Sequence, residues 1–299
     1  MNTYIQAFRL PFLTGSLVPV LQAGALAYLE GHLQVFPLIL VLIGVGALHS
    51  AGNLINDYED TPRSDTINPN PTPFSGGSRV ILDGRLTARW VFGAAVLCFT
   101  LAAFIGLYLI LNGRPYVALI GLLGLIASLF YSVGPIQFMS HGLGEITIFF
   151  AFGPLITWGT YYVLTGRLTG PAFLLGFPLG FLITAIIWIN EFPDYQADQA
   201  VGKRNLVVRW GLAPARRVYL LLMLLPYPFL VFLYGVVGLP VWILLGWLTL
   251  PLALKGIAIL WREYNQPEKI VPAQALTIQT HMILGLLMVI GLLLQRLLG

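Results

Sequence analysis

The sequence predicts an all-α membrane protein, a polytopic bundle of nine transmembrane helices around a central cavity. Of its 299 residues, 58% are hydrophobic and only 9% are charged, a composition that soluble domains do not have. A helix needs about 20 apolar residues to span a bilayer. Nine such stretches occur, at about residues 10–29, 34–55, 90–111, 115–134, 142–163, 171–190, 216–236, 239–260 and 276–297. Membrane strands would instead alternate apolar and polar residues, so a barrel is not expected.

The first stretch is predicted to be a retained helix, because it continues past Pro19 without the small-residue pattern of a signal cleavage site. Cys98 lies in the third stretch and is the only cysteine, which excludes a disulfide framework and a cysteine metal cluster.

The loops predict the orientation. Thirteen of the 16 lysines and arginines fall on one side of a nine-helix topology, and only Arg114, Arg167 and Arg296 fall on the other. By the positive-inside rule, the N-terminus is cytoplasmic in a prokaryotic-type plasma membrane and the C-terminus is outside. The net charge of +4 therefore reflects topology and anionic headgroups, and nucleic acid is not an expected partner.

All six aspartates lie in two short stretches of the chain, and two segments there resemble each other. Residues 56–60 read Asn-Asp-Tyr-Glu-Asp and residues 190–194 read Asn-Glu-Phe-Pro-Asp. The two copies are separated by four predicted helices, which places them on the same, cytoplasmic face. We therefore expect one domain, residues 1–299, built from two pseudo-repeated parts at about 1–140 and 141–299.

Helical spacing predicts where these acids point. Residues four and seven apart share a helix face, so Asn53, Asp57 and Asp60 are expected on one face of the second helix. Asn190, Asp194 and Asp198 are expected on one face of the sixth helix. Facing carboxylates repel each other unless a positive group lies between them. Oxygen ligands suit Mg²⁺, whose coordination shell is usually completed by substrate phosphates. The four aspartates are candidate catalytic metal ligands, and a phosphorylated substrate is expected between the helices.

Basic and polar residues beside the aspartates are candidates for binding that substrate. They are Asn53, Asn56, Arg63, Arg79, Asn190, Lys203 and Arg204. Arg79 follows Ser75-Gly76-Gly77-Ser78, where the glycines allow close approach of the backbone to an anion. The proline-rich run at residues 68–73 disfavours a continuous helix, so the connection of about 30 residues is expected to form a structured lid over the site.

With these motifs, the chain resembles the UbiA superfamily of intramembrane prenyltransferases. Asn56 and Asp60, with the extra acid Asp57, resemble the family's NxxxDxxxD signature, and Asp194 and Asp198 resemble its DxxxD signature. The third acid of the first signature is expected at Ser64, so Asp65 is the displaced candidate for this metal ligand. Residues 142–145, 159–166 and 198–211 are similar to the 1,4-dihydroxy-2-naphthoate (menaquinone) branch.

The resemblance implies an enzyme that transfers a polyprenyl group from polyprenyl diphosphate to an aromatic acceptor in quinone biosynthesis. It implies two Mg²⁺ ions as Lewis acids on the leaving diphosphate and a groove open to the lipid bilayer for the prenyl chain. Aromatic side chains can stabilise a passing carbocation, and Tyr131 is the candidate for this role.

Other functions remain open at this level. The acceptor could be 4-hydroxybenzoate, a chlorin, homogentisate or a glycerol phosphate lipid instead of 1,4-dihydroxy-2-naphthoate. A secondary transporter would also combine a helical bundle with acidic residues. Its acids would be expected near the middle of the bilayer on interrupted helices, whereas these cluster at one face.

Overall fold

The computed structural model describes residues 2–298, and within that range it contains nine apolar helical segments, α1 to α9. They are Leu10–Leu29, Val35–Asp65, Ala88–Leu111, Val117–Phe130, Gly144–Thr165, Gly170–Ala200, Leu212–Gly235, Val241–Glu263 and Pro267–Leu298. Eight of them are long and apolar enough to cross a membrane, and α4 is shorter, with 14 residues. The all-α class and the nine predicted helices are confirmed.

Two of the boundaries differ from the prediction in a way that matters for the site. The apolar pattern of α2 ends near residue 55 and that of α6 near residue 190, but α2 continues to Asp65 and α6 to Ala200. Hydropathy reports only the apolar part of a helix, whereas the backbone stays helical as long as its polar side chains find partners. Both aspartate motifs therefore lie on helices. We call the end of the bundle where α2 and α6 finish the motif end.

The core of the bundle lies between α1, α6 and α9. Leu26 of α1, Leu182 and Trp188 of α6 and Leu284 of α9 belong to one buried cluster. Glycines allow close helix contact here: a Cβ on Gly153 of α5 would lie 2.6 Å from the carbonyl oxygen of Gly176, so α5 and α6 approach through backbone atoms, as small residues permit in membrane bundles.

Few side chains are buried on α3 and α4, although α3 packs along α2. No residue of α4 is buried among those that the structure describes, and α3 buries only Val91, Ala95 and Leu109. These two helices form one wall of the cavity described next, and α1, α2, α5, α6 and α9 provide the rest of its lining.

Candidate active site

A cavity of about 840 Å³ runs from the motif end into the bundle. Asp60 and Val41, which both line it, are 19 positions apart in α2, so the cavity is about 28 Å deep at 1.5 Å per helical residue. Its mouth is lined by Asp60, Asp65, Asp194, Asp198 and Lys203, and its deeper part mostly by aliphatic side chains and glycines. This shape suits a long apolar ligand with a charged head.

On α2, the mouth is formed by Asn53, Asn56 and Asp60. Asn56 Nδ2 donates to Asp60 Oδ2 at 2.8 Å and to Ser132 Oγ at 2.9 Å. Asp57 points elsewhere, which corrects the prediction that it shares a face with Asn53 and Asp60. Its Oδ1 accepts from the Arg9 guanidinium and from the Ser78 backbone N–H, and Asp57 does not line the cavity.

On α6, the geometry follows the predicted face, since Asn190, Asp194 and Asp198 all line the cavity. Asn190 Oδ1 accepts a hydrogen bond from Gln274 Nε2 at 2.9 Å. Asp198 Oδ2 accepts from Asn205 Nδ2 at 2.9 Å. Each polar side chain of this face is thus oriented by a neighbour on another segment.

Lys203 connects the two motifs. Its Nζ lies 2.8 Å from Asp60 Oδ2 and 3.6 Å from Asp198 Oδ1, and it donates to Ser64 Oγ at 2.8 Å. The side chain is 8% exposed. Burial disfavours the charged ammonium, but Asp60 and Asp198 outweigh this effect and raise the pKa of Lys203 above its ordinary value. The positive charge required between the two carboxylate arms is therefore supplied by the chain itself.

The connection at residues 66–87 covers the mouth as the predicted lid. Asn68 Nδ2 donates to Asp194 Oδ1 at 2.6 Å, and the Gly76 backbone N–H donates to Asp194 Oδ2 at 3.2 Å. Gly76 and Gly77 both have φ near 76°, and a Cβ on Gly77 would collide with the Asp65 carboxylate. The glycines do permit close approach to an anion, and in this structure the anions are Asp65 and Asp194.

Three predicted cations lie away from the cavity, which corrects their expected position. Arg63 and Arg204 are exposed. Arg79 lies with its Nε 4.0 Å from Asp83 Oδ1. None of the three lines the cavity. Arg79 lies instead beside Asp83, four residues further on, and the exposed side chains of Arg63 and Arg204 keep their charge in water, where it is not penalised by burial.

Tyr131 follows α4 and lines the cavity, as its predicted role requires. Burial and the neighbouring Glu191 carboxylate raise the pKa of the Tyr131 hydroxyl well above its usual value, so the hydroxyl stays protonated and can donate a hydrogen bond.

Several residues of the site were missed by the motif spacing. Asn68, Ser64 and Asn205 hold the motif side chains, and Arg9 holds Asp57. Glu191 lines the cavity and is 9% exposed. Of these residues, only Glu191 could have been identified from the sequence, because an ionisable residue in an apolar helix is a functional candidate. The roles of the others depend on contacts between segments, which the sequence alone does not show.

The donor set fits magnesium chemically. No three of the His, Cys, Asp and Glu side chains at positions 2–298 are grouped closely enough to form a complete metal site. Mg²⁺ usually takes one or two protein carboxylates and completes its shell with water and substrate phosphates. Asp60 lines the mouth and its buried Oδ1 has no hydrogen-bond partner, so this oxygen is available to a ligand.

The sequence and the fold match known proteins. The model of the UbiA prenyltransferase family matches residues 16–294. The 1,4-dihydroxy-2-naphthoate octaprenyltransferase of Escherichia coli (strain K12) is 29% identical, with 99% of this chain and 96% of that protein covered. The apo structure of a UbiA homolog from Aeropyrum pernix K1 has a TM-score of 0.70 at 15% identity, covering 97% of this chain and 98% of that one. A UbiA homolog from Archaeoglobus fulgidus bound to GPP and Mg²⁺ has a TM-score of 0.63 at 14% identity, covering 96% and 99%.

Proposed function

The chain belongs to the UbiA prenyltransferase family and is an intramembrane prenyltransferase, and on this premise we propose that it prenylates 1,4-dihydroxy-2-naphthoate with a polyprenyl diphosphate. One observation carries the proposal. Carboxylates on α2 and α6 face each other across the mouth of a deep apolar cavity. Such an arrangement suits a substrate with a diphosphate head and a hydrocarbon tail. The transporter alternative is excluded, because the family is one of prenyltransferases.

We propose that the diphosphate binds at the mouth with two Mg²⁺ ions. Asp60, Asp65, Asp194 and Asp198 all line the cavity and are the proposed ligands. We propose that Asp57 is a positioning residue: its carboxylate holds Arg9 and the lid residue Ser78 by hydrogen bonds. When bound, magnesium supplies Lewis-acid stabilisation of the charge that develops on the leaving diphosphate. The structures of UbiA homologs bound to prenyl diphosphates and Mg²⁺ support the choice of metal.

The chain's own residues supply the remaining functions. Lys203 offers an ammonium within reach of the diphosphate oxygens, and Asn68 and Asn205 hold Asp194 and Asp198 in place. The lid covers the mouth and limits the access of water, so that a reactive allylic cation meets the acceptor instead of solvent. Tyr131 presents an aromatic wall near the reacting carbon. The prenyl tail extends into the apolar part of the cavity.

The acceptor assignment is supported by similarity to the Escherichia coli enzyme and by the residues shared with the naphthoate branch. We further propose that the mouth and the N-terminus face the cytoplasm of a prokaryotic-type plasma membrane, since the basic loops lie at that end. The two pseudo-repeated parts, residues 1–140 and 141–299, each contribute one carboxylate arm.

A panel of acceptors tests this function. The purified protein is offered 1,4-dihydroxy-2-naphthoate, 4-hydroxybenzoate, homogentisate, a chlorin and a glycerol phosphate lipid, each with geranylgeranyl or octaprenyl diphosphate and Mg²⁺. Mass spectrometry should find prenylated product with the naphthoate. Product with a different acceptor alone would contradict the naphthoate assignment, and no product with any acceptor would contradict the proposed function.

A further inference from the structure

Glu191 is a buried carboxylate that the proposed diphosphate chemistry does not use. It lies one helical turn before Asp194 on α6, which places its backbone about 4.5 Å deeper in the bundle. The side chain lines the cavity and is 9% exposed, and its Oε2 has no hydrogen-bond partner. Burying an ionisable group with an unpaired oxygen is unfavourable, so Glu191 is a candidate for binding a ligand.

Neither part of the prenyl donor explains Glu191. The hydrocarbon tail has no polar group to offer a carboxylate, and the diphosphate repels it. The charged groups around Glu191 are the carboxylates of Glu145, Asp198 and Asp194, which repel it, and the ammonium of Lys203, which attracts it but is already paired with Asp60 and Asp198. What a carboxylate at this depth can bind well is a hydrogen-bond donor such as a hydroxyl group.

Two other side chains around the cavity fit the same kind of ligand. Asn53 lines the opposite wall on α2, and its buried Nδ2 is a donor without a partner. Tyr131 provides an aromatic surface on the same cavity. A ring that carries oxygen substituents would satisfy Glu191 and Asn53 through hydrogen bonds and could pack against Tyr131.

We propose that Glu191, Asn53 and Tyr131 form the acceptor subsite, and that Glu191 recognises a ring hydroxyl of an electron-rich hydroxylated aromatic. The terminal torsion of glutamate is soft, so either carboxylate oxygen can turn to the hydroxyl. This inference rests on the proposed function and adds the residue that selects the acceptor class. Glu191 acts here as a binding and positioning residue.

The test compares Glu191→Gln with a matched control, Glu145→Gln. Glu145 is also buried and has one oxygen without a partner, but it lies outside the cavity lining, where its Oε1 accepts from the Leu206 backbone N–H at 2.6 Å. Glu191→Gln should raise the KM for the hydroxylated acceptor at least about 10-fold, the scale of one hydrogen bond to a charged group. The KM for the prenyl diphosphate and the Mg²⁺ concentration for half-maximal rate should stay within about 2-fold. Glu145→Gln should change none of the three.

A binding measurement separates this inference from the proposed function. In thermal unfolding without donor or Mg²⁺, 1,4-dihydroxy-2-naphthoate should stabilise the wild-type protein and the Glu145→Gln protein, and not the Glu191→Gln protein. Acceptor binding that is equal in all three, or a loss of Mg²⁺ affinity in Glu191→Gln instead, would overturn the acceptor subsite. If the wild type transfers no prenyl group but still binds the hydroxylated ring through Glu191, the proposed function fails while this inference survives.

Discussion

At the motif end of the cavity, carboxylates on α2 and α6 surround a lysine, whereas the opposite end is closed by aliphatic side chains. Val41, Leu109 and Val163 line this far end and are buried in one cluster with Val20. The charged side chains of the mouth are held by hydrogen bonds from the lid and from loops. The side chains of the far end can only pack, and the one hydrogen bond given to Val163 from a side chain, from Arg114 Nε at 2.7 Å, goes to its backbone carbonyl. The comparison teaches that one cavity has two chemically different ends, and we propose that the mouth provides affinity for a charged head and that the far end limits the length of the tail.

Removal of the metal should have the largest effect on turnover, because every proposed role of the charged mouth depends on it. The far end of the cavity has no role for a metal. EDTA is expected to stop prenyl transfer, and excess Mg²⁺ should restore it, since the developing charge on the diphosphate then regains its Lewis acid. The measurement is the initial rate by product mass spectrometry. Unchanged turnover in EDTA would remove the basis for assigning a metal to the mouth.

Loss of one carboxylate from either arm should be nearly as severe. Asp60→Ala and Asp194→Ala are each expected to lower kcat at least about 100-fold, the scale seen when one group that stabilises developing charge is removed. Asp83→Ala is the control, because Asp83 is a half-exposed residue that pairs with Arg79 and Arg85. If both arm variants keep near-normal rates, the two-arm description of the mouth is wrong.

The difference between the two ends also explains what the sequence could predict. Apolar runs and four-residue spacing are local patterns, so the nine helices and the face of Asn190, Asp194 and Asp198 were predictable. The direction of Asp57 was not, because it depends on Arg9, a residue 48 positions away. The placement of Lys203 between Asp60 and Asp198 likewise requires the three-dimensional meeting of three segments.

The residues that line the far end could not be predicted from the sequence, for a different reason. Val41, Leu109 and Val163 each lie in an apolar helix whose residues all look alike in hydropathy. Only packing decides which aliphatic side chains face the cavity. The depth of the cavity therefore comes from the structure.

Replacement of Lys203 tests whether the mouth depends on its internal cation. Lys203→Met leaves Asp60 and Asp198 without a counter-charge, and breaking a buried ion pair typically costs about 3–5 kcal/mol. We expect a lower Tm in detergent without Mg²⁺, with part of the loss recovered when Mg²⁺ is added. Arg204→Met is the control, since Arg204 is exposed and its backbone N–H and carbonyl, which bond Ser140 and Arg209, are unchanged by the substitution. Equal Tm values for the two variants would show that Lys203 does not stabilise the mouth.

The smallest effect is expected at the far end, where Leu109→Ala should shift the preference among donors. The length of the donor can be compared with the depth of the cavity. An extended peptide spans at most about 3.6 Å per residue, which is three backbone bonds. An isoprene unit adds four bonds to the chain and therefore spans about 4.8 Å on the same scale. A depth of about 28 Å then holds about six units, and an octaprenyl chain must bend or leave sideways. Each additional buried CH₂ contributes about 0.8 kcal/mol, roughly a fourfold change in binding.

Truncation of Leu109 deepens the cavity, so kcat/KM for octaprenyl diphosphate should rise at least about fourfold relative to geranylgeranyl diphosphate. Leu101→Ala on the same helix is the matched control, because Leu101 is exposed and does not line the cavity. The two donors are supplied together and the product ratio is read by mass spectrometry, which makes the result independent of the amount of folded protein. An unchanged ratio in Leu109→Ala would mean that the aliphatic end does not limit the donor, because the prenyl chain leaves the cavity before reaching it.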